Sequence, residues 1–385
     1  MAKLSSSNGI EKFPKLRFPE FKEPWNLVKL EDVCSYRKGR AKVKKAQYIS
    51  TENILQNYAG IEPYDDLSEA EGISIQCGDT LMANIRPYLK KVWQSNFNGA
   101  CSTDVLAFSP DNIDGKFLYF LIAQDRFVNY VMCGAKGSKM PRGDKNHILE
   151  YETGVPTESE QRKIAHFIDL LNARISSQNS LINLIKKYKR GSLSALFPKK
   201  REITPQYRFA GFTKPWEQRK ASELCSISTG KSNTQDKVED GEYPFYVRSP
   251  IVERSNKYLY DEEAVITVGD GVGTGKVFHY VNGKYDLHQR CYRMFNFSAE
   301  LNAHYFYHTF SKMFYNRVMA MTAKTSVDSV RLEMIADMEI PTPKIEEQIK
   351  IGEYLDNLDN LITLHQHKYD ILLSLKNALL QQLFI

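Results

Sequence analysis

A glycine-rich stretch from Gly269 to Val277 (GDGVGTGKV) is where the residue types first suggest chemistry. Closely spaced glycines before a lysine can cradle a phosphate, as in a nucleotide-binding loop. A loop ending at Lys276 would need its first glycine where Asp270 stands, so the spacing does not fit. Val277 also replaces the serine or threonine that holds magnesium, and a β-like run follows instead of a helix. The stretch is therefore predicted to be a turn between two strands that can approach another backbone closely.

Two other motifs suggest catalysis and fail on their spacing. Asn84–Tyr88 (NIRPY) resembles the Asn-Pro-Pro-Tyr loop of amino-methyltransferases, but it has a single proline and no glycine-rich cofactor loop ahead of it. His304 and His308 stand four apart on a predicted helix, yet Tyr305 occupies the position of the glutamate in zinc proteases. A packed or exposed histidine pair is the alternative. The sequence therefore predicts no catalytic residue, no metal site and no cofactor.

Basic loops with polar and aromatic neighbours remain, and they occur in both halves of the chain. Such side chains can neutralise phosphates and read the edges of bases. The candidates in the first half are Arg40, Lys42, Arg86, Lys90, Lys91, Lys139, Arg142 and Lys145. Those in the second half are Lys231, Arg248, Lys276, His288, Gln289, Arg290, Lys324, Thr325 and Ser326. Any single loop is typical of a solvated surface, but recurrence at similar places keeps DNA binding open beside that interpretation.

Composition places limits on the class of protein. The chain has 385 residues, 42% apolar residues and a net charge of +6, which permits binding to a polyanion without demonstrating it. The six cysteines form no C-x-x-C pair, which is typical of reduced thiols. The N-terminal segment has no apolar core, and no run of 18 apolar residues exists. We expect a soluble, cytoplasmic protein that does not span a membrane.

One long predicted helix occurs twice in the sequence, once after each set of basic loops. Glu160–Phe197 and Glu347–Phe384 align without a gap at an offset of 187 residues. Steps of four and three residues give a heptad seam, with Gln178 and His365 as a polar layer at the same place in both copies. An ordinary amphipathic core helix is the alternative, but the length and shared register favour a coiled coil. The apolar seam residues are Ile164, Ile168, Leu171, Ile175, Ile182, Ile185, Ile351, Leu355, Leu358, Ile362, Tyr369 and Leu372.

The duplication extends beyond the helices. Arg17–Trp25 (RFPEFKEPW) returns as Arg208–Trp216 (RFAGFTKPW), and the Gly-Asp pair at Gly78 returns at Gly269, each at an offset of 191 residues. Each globular module is predicted to be mixed α/β, with short strands such as Gln47–Thr51, Thr80–Ala83, Val92–Gln94, Ala264–Val268 and Lys276–Tyr280. A shorter helix follows in each, Gly115–Val131 and Asn302–Met319. The predicted order is a loose arm at 1–16, a module at 17–155, a helix at 156–198, a linker at 199–206, a module at 207–340 and a helix at 341–385.

These features together resemble the specificity subunit of type I restriction-modification enzymes over nearly the whole chain. The carriers of the resemblance are the doubled plan and the Pro-x-x-x-Glu-Gln-x-Lys-Ile motif at the start of each long helix, from Pro156 to Ile164 and from Pro343 to Ile351. The Gly-Asp turns and the stretch Gly269–Arg290 also look like parts of that family.

The resemblance implies a function and a set of partners. Each module would be a target recognition domain reading one half of a bipartite site in double-stranded DNA. The long helices would pack as an antiparallel coiled coil with a pseudo-twofold internal repeat and would set the gap between half-sites. Two methyltransferase subunits would dock on the long helices and the linker of this non-catalytic chain, and two translocase-nuclease subunits would join them. AdoMet, ATP and Mg²⁺ would belong to these partners. A coiled-coil adaptor that does not bind DNA, or a methyltransferase or nuclease in its own right, remain the alternatives.

Overall fold

The computed structural model describes residues 13–66, 68–199, 202–271, 273–321 and 329–385. The chain divides into two compact units. The first comprises the residues up to Gln178 together with Lys368–Ile385, and the second comprises Asn179–His367. Each unit therefore contains one globular module, the start of the long helix that follows it and the end of the other long helix. Most of the predicted N-terminal arm (residues 1–12) lies outside the described residues.

The first unit is mixed α/β, as predicted. Its described strands are β1 (Asn26–Lys29), β2 (Cys34–Tyr36), β3 (Arg40–Lys44), β4 (Tyr48–Ile49), β5 (Glu69–Ile75), β6 (Thr80–Ala83), β7 (Val92–Gln94), β8 (Gly99–Cys101), β9 (Val105–Pro110) and β10 (Glu152–Val155). They form a sheet of order β2-β9-β6-β7, a sheet of order β3-β5-β8-β4, and the antiparallel pair β1-β10. The helices are α1 (Gly115–Ile122), α2 (Asp125–Cys133), α3 (Lys145–Leu149) and α4 (Glu158–Leu196). Asp114 caps α1 by accepting hydrogen bonds from two backbone amides of its first turn.

The second unit repeats this plan with one larger sheet. Its described elements are β11 (Glu217–Lys220), α5 (Ala221–Leu224), β12 (Ser226–Thr229), β13 (Tyr243–Tyr246), β14 (Glu253–Ser255), β15 (Tyr260–Val268), β16 (Phe278–Leu287), β17 (Cys291–Phe295), α6 (Ala303–Met321), α7 (Leu332–Ala336), β18 (Glu339–Thr342) and α8 (Ile345–Leu383). The sheet order is β12-β17-β15-β16-β13-β14, and β11 pairs with β18. The glycine-rich stretch after Val268 connects β15 to β16, which confirms the predicted turn between strands.

The prediction of one helix over Gly115–Val131 is wrong, because the chain forms α1 and α2 there. Gln124 has an extended backbone (φ −122°, ψ 147°), and its side-chain amide donates to the Phe120 carbonyl at 3.0 Å. Asp125 in the first turn of α2 is favourable near the positive end of the helix dipole. The predicted helix at Asn302–Met319 is confirmed as α6. The strand predicted at Gln47–Thr51 shortens to β4, because residues 45–47 form a 3₁₀ turn.

A repeated ion pair joins each long helix to its module. Both carboxylate oxygens of Glu160 accept hydrogen bonds from Arg17, at 2.8 and 2.7 Å, and Trp25 Nε1 lies 3.3 Å from the same carboxylate. Glu347 binds Arg208 in the same bidentate way, at 2.8 and 2.6 Å. The two glutamates are 0% and 1% exposed, so each forms a buried ion pair, and loss of the arginine partner would be costly. This pairing explains why the arginine segment and the helix-start motif recur together.

The glutamine of the same motif binds the segment directly before α1 in the first module and before α6 in the second. Gln161 Oε1 accepts the backbone N–H of Asp114 at 2.7 Å, and its amide donates to the carbonyl of the proline that precedes α4. Gln348 makes the same two contacts with Asn302 and the proline that precedes α8. Both glutamines are buried. Glutamate and glutamine at the start of each long helix therefore fix that helix onto the segments before α1 and α6.

The residues of the heptad seam are buried or half-buried within each unit. In the second unit, Lys189 Nζ lies 2.5 Å from Asp359 and Ser192 lies 3.1 Å from the Tyr354 hydroxyl, so these parts of α4 and α8 run antiparallel. In the first unit, α4 shares a hydrophobic core with the last residues of α8. The buried seam residues are Ile164, Ile168, Ile175, Ile182, Ile351, Leu355 and Leu358, and the half-buried ones are Leu171, Ile185, Ile362, Tyr369 and Leu372.

Candidate nucleic-acid interface

The histidine pair of α6 serves packing. His304 Nδ1 and His308 Nε2 both contact the carboxylate of Asp356, at 2.6 and 2.7 Å, and His308 is 1% exposed. The pair therefore anchors α6 to α8 through one shared acid. Across the described ranges no cluster of three or more histidine, cysteine or acidic residues could hold a metal ion. In the same ranges no helix is long and apolar enough to cross a membrane.

The cysteines are free thiols, and four of them are buried. Burial raises the pKa of Cys34, Cys101, Cys225 and Cys291 to about 12. A thiol with such a pKa remains protonated at neutral pH and is a poor nucleophile or metal ligand. These cysteines therefore contribute packing.

The first basic surface is formed by residues 84–91 and 134–145, which the structure brings together. The Arg86 backbone N–H donates to the Pro141 carbonyl at 2.8 Å, and Ile85 forms a β-bridge with Arg142. The Arg142 guanidinium lies 3.1 Å from the Asp104 carboxylate. Two segments about 50 residues apart in sequence thus place Arg86 and Arg142 on neighbouring backbones.

The remaining candidates of the first half differ in how they are engaged. Lys139 and Lys145 are exposed on the same surface. Lys90 Nζ binds Asp125 at 2.8 Å, and Lys91 Nζ donates to the Thr51 carbonyl at 2.6 Å. These two lysines therefore already have partners within the protein.

Arg40 and Lys42 lie apart from that surface, on β3 of the other sheet. Both are exposed. The Arg40 guanidinium is 3.4 Å from Glu71 on the neighbouring strand β5. Both side chains of this pair are exposed, the acid included (69% and 47%), so the pair is weak and does not prevent Arg40 from contacting another molecule.

The second basic surface is formed by Lys231–Asp236, Arg248, Asp270 and His288–Arg290. Arg248 Nη1 lies 3.3 Å from one carboxylate oxygen of Asp270, and Arg290 Nε lies 3.7 Å from the other. Arg248 follows β13, Asp270 follows β15, and Arg290 precedes β17. Three connections of the sheet therefore meet at one carboxylate.

His288 lies inside this surface and supports it. It is 4% exposed, its Nδ1 accepts the Arg290 backbone N–H at 3.0 Å, and its Nε2 is 3.3 Å from the Thr234 hydroxyl. Burial lowers its pKa, and nearby guanidinium groups lower it further. Gln289 is exposed, and its amide donates to Asn233 Oδ1 at 2.5 Å. His288 therefore supports the loop that carries Gln289 and Arg290.

The remaining candidates of the second half are Lys231 on the second basic surface, Lys276, and the segment 324–326. Lys231 is exposed beside Ser232. Lys276 is exposed with its ammonium 5.0 Å from the centre of the Tyr315 ring, within cation–π range. Lys324, Thr325 and Ser326 lie outside the described residues.

The acids that hold the arginines were missed by sequence reasoning. Asp104 contacts Arg142, and Asp270 contacts two arginines. The repeated Gly-Asp pair was the available signal for Asp270. Its counterpart Asp79 also holds an arginine, Arg37, through two bonds of 2.9 Å.

His279 on β16 is expected to make the stability of the second unit depend on pH. Burial lowers its pKa below the usual 6.5, and its ring lies 5.0 Å from that of Tyr246. Below about pH 6.5 an unfolded histidine binds a proton, whereas His279 in the folded protein does not until the pH reaches its lowered pKa. The free energy of unfolding therefore falls as the pH drops from 6.5 through the folded pKa. The total fall is ~1.4 kcal/mol for each pH unit by which folding lowers the pKa. Thermal melting between pH 7.5 and 5.5 should show this fall, and His279→Phe should flatten it. Equal slopes for His279→Phe and the exposed control His166→Phe would contradict the assignment.

Known proteins resemble the chain over most of its length. A family model described as the type I restriction modification DNA specificity domain matches twice, at residues 22–187 and 213–373. The specificity subunit of the type I restriction enzyme MjaVIII from Methanocaldococcus jannaschii is 22% identical over 386 residues, covering 91% of this chain and 90% of that protein. The specificity subunit of the type I restriction enzyme EcoDI from Escherichia coli is 26% identical over 143 residues, covering 37% of this chain and 31% of that protein.

Solved structures share the fold. The S subunit of a type I restriction-modification system from M. genitalium superposes with a TM-score of 0.69 at 15% identity, covering 97% of this chain and 99% of that chain. A chain from a structure determined to explain complex assembly and conformational transition of the type I R-M system gives a TM-score of 0.58 at 18% identity, covering 94% and 98%. At these identities the likeness shows the fold alone.

Proposed function

Because the chain belongs to the type I restriction modification DNA specificity family, we propose that it is the DNA-recognition subunit of a type I restriction-modification complex. Each module reads one half of a bipartite site in double-stranded DNA. The observation that carries this proposal is the duplication: the family domain occurs twice, and in each unit arginines from separate segments of the chain lie close together. Catalysis, and the AdoMet, ATP and Mg²⁺ that it needs, belong to partner subunits. We place the complex in the cytoplasm, the compartment that the resemblance to this family implies.

The chemistry of the two basic surfaces fits this function. Arginine can donate two parallel hydrogen bonds to guanine in the major groove, and neighbouring lysines can bind phosphates. Arg142 and Lys139 would act in the first half-site, and Arg248 and Arg290 in the second. A coiled-coil adaptor that does not bind DNA would gain nothing from such surfaces in both modules.

Half-site readout should therefore separate by module. Changing Lys139, Arg142 or Lys145 to alanine should alter one half-site, and changing Arg290, Lys324 or Ser326 should alter only the other. A base contact should cost about 1–3 kcal/mol and relax specificity at one position, whereas a phosphate contact should weaken all sequences and reduce the salt slope by about one. Competition binding with duplexes mutated in either half-site measures this.

Mobility-shift and methylation assays, together with that competition binding, test the proposed function. The chain should shift its target duplex together with a methyltransferase subunit and direct methylation, while the purified chain alone methylates and cleaves nothing. Methyl transfer by the isolated chain, or first-module variants that change both half-sites, would contradict the proposal. If no duplex binds in the presence of the methyltransferase, the coiled-coil adaptor is favoured instead.

Each unit exposes an equivalent apolar patch on its long helices. The second patch consists of Leu184, Tyr188 and Tyr207, which are 62%, 59% and 63% exposed. The first patch consists of Ile371, Leu375 and Leu16, which are 52%, 46% and 40% exposed. The helix residues correspond at an offset of 187 and the other pair at 191. The Tyr207 N–H donates to the carbonyl of Ala195, and the Leu16 N–H donates to the equivalent carbonyl of Gln382.

Repetition of this patch supports two copies of one partner. Exposed apolar side chains that cluster mark interaction sites, and the second patch borders an open groove of about 690 Å³. We assign the two patches to two methyltransferase subunits. Two translocase-nuclease subunits complete the proposed complex through those methyltransferases.

Charges placed on the patches should remove the methyltransferases one at a time. Leu184→Glu or Ile371→Glu alone should leave one methyltransferase per chain, and the double variant should leave none, because a carboxylate cannot be buried unpaired in an apolar contact. Native mass spectrometry of the complex measures the stoichiometry, and circular dichroism checks that the chain is folded. Leu332→Glu, a change of an exposed leucine on α7, is the matched control and should leave two. A double variant that still binds two methyltransferases would refute the docking assignment.

A further inference from the structure

Asp270 is an acid at the centre of the second basic surface. A carboxylate on a surface that binds DNA repels phosphates and lowers affinity, so its presence needs a compensating role. It contacts Arg248 and Arg290 through different oxygens, at 3.3 and 3.7 Å. We propose that Asp270 is a positioning residue, which fixes the two arginines in one arrangement and thereby gives the second module its base discrimination. This inference rests on the proposed function.

The backbone around Asp270 is anchored on both sides. The Gly269 N–H donates to the Arg290 carbonyl at 2.8 Å, and the Val330 N–H donates to the Gly269 carbonyl at 2.7 Å. Asp270 itself forms a β-bridge with Ser329. A Cβ at position 269 would lie 2.6 Å from the Arg290 carbonyl oxygen, so only glycine permits this approach. The carboxylate is therefore held at a fixed place relative to the loop that carries Arg290.

The repeat provides an internal comparison. Asp79 stands at the equivalent Gly-Asp turn of the first module, where it is 1% exposed and binds Arg37 with two bonds of 2.9 Å. That acid is itself buried, and its arginine is only 28% exposed. The side chain of Asp270 is 23% exposed, and the side chains of its two arginines are 47% and 64% exposed. The same turn thus holds arginines at the surface in the second module.

Holding the arginines has a physical consequence for specificity. A free arginine side chain can rearrange to reach a phosphate on any sequence, whereas a held guanidinium makes good hydrogen bonds only where a base edge matches its position. The cluster of two guanidiniums and one carboxylate carries a net charge of +1, so its general attraction to DNA is modest. Asp270 also reduces the side-chain entropy that ordering two arginines at the interface would cost.

The test is Asp270→Asn in the complex with the methyltransferase. Asparagine keeps the shape and removes the charge. We expect discrimination between correct and altered second half-sites to fall about tenfold. Affinity for unrelated DNA should rise, and the salt slope should become steeper by up to about one. Discrimination at the first half-site should not change. Asp270→Glu, which restores the charge, should recover part of the discrimination.

Two controls separate positioning from charge and folding. Asp337→Asn removes the same charge from the pair with Lys220, at 2.8 Å, and should leave discrimination unchanged at both half-sites. Asp104→Asn releases Arg142 and should relax only the first half-site. If Asp270→Asn retains full second half-site discrimination, or if Asp337→Asn relaxes it equally, the inference is wrong. A wild-type complex with no bipartite specificity would instead overturn the proposed function.

Discussion

Replacing Arg17 with methionine should lower the free energy of unfolding of the first unit by about 3–5 kcal/mol, because it leaves a buried carboxylate without its partner. Glu160 is 0% exposed and takes two hydrogen bonds from Arg17. The pair also ties the segment before β1 to the start of α4. Arg208→Met should have the same effect in the second unit, where Glu347 is 1% exposed.

Circular dichroism during urea unfolding measures this loss. Lys116→Met is the matched control, because it breaks the exposed pair with Asp169 and should cost below about 1 kcal/mol. The double variant Arg17→Met/Glu160→Leu should recover part of the loss, since no buried charge remains. The Trp25 indole would lose its acceptor, a state that the second unit tolerates, as the buried Trp216 Nε1 has no partner among the described residues. Equal costs for Arg17→Met and Lys116→Met would refute the account.

Duplicating four residues near Gln178 should lengthen the gap between the two half-sites and leave their sequences unchanged. The insertion adds roughly 6 Å to α4, close to two base pairs at about 3.4 Å each. It turns the downstream helix by about 40° beyond a full turn, and the stutter in the seam can be absorbed by local unwinding. Methylation mapping across the genome of a strain that carries the variant measures both the gap and the half-sites.

A duplicated heptad is the control for the seam. It keeps the heptad register and adds roughly 10 Å, about three base pairs, so it should lengthen the gap further. An unchanged gap with full activity would show that the long helices do not set the spacing. A changed half-site would show that they act on readout.

The helices and the doubling of the fold could be predicted from the sequence because both are periodic. Seam residues such as Ile168 and Leu355 are buried as the heptad pattern indicates. The packing of each helix end was not predictable, because periodicity does not identify distant contacts. Phe384 packs on Phe117 at 5.1 Å, and Phe197 stacks on Tyr305 at 5.6 Å. The recurring Leu-Phe pair at both helix ends is visible in the sequence, but the aromatic residues on which each phenylalanine packs are not.

The loops of the candidate site could be predicted from the sequence, but most of the contacts that hold them could not. Charge and glycine content identified the segments that carry Arg142 and Arg290. His288 is buried and contacts Thr234, a residue 54 positions away that no local pattern identifies. The acid Asp104 acts through a partner 38 residues away in sequence, so composition around it gave no signal.

Methylation mapping of a strain that carries this chain with its methyltransferase measures whether each module reads its own half of the site. We expect one methylated motif with two specified halves separated by a gap of fixed length and unspecified sequence. We further expect that Arg142→Ala relaxes one half and Arg290→Ala relaxes the other. A single contiguous motif, or one variant that alters both halves, would contradict the claim that each module reads its own half of the site.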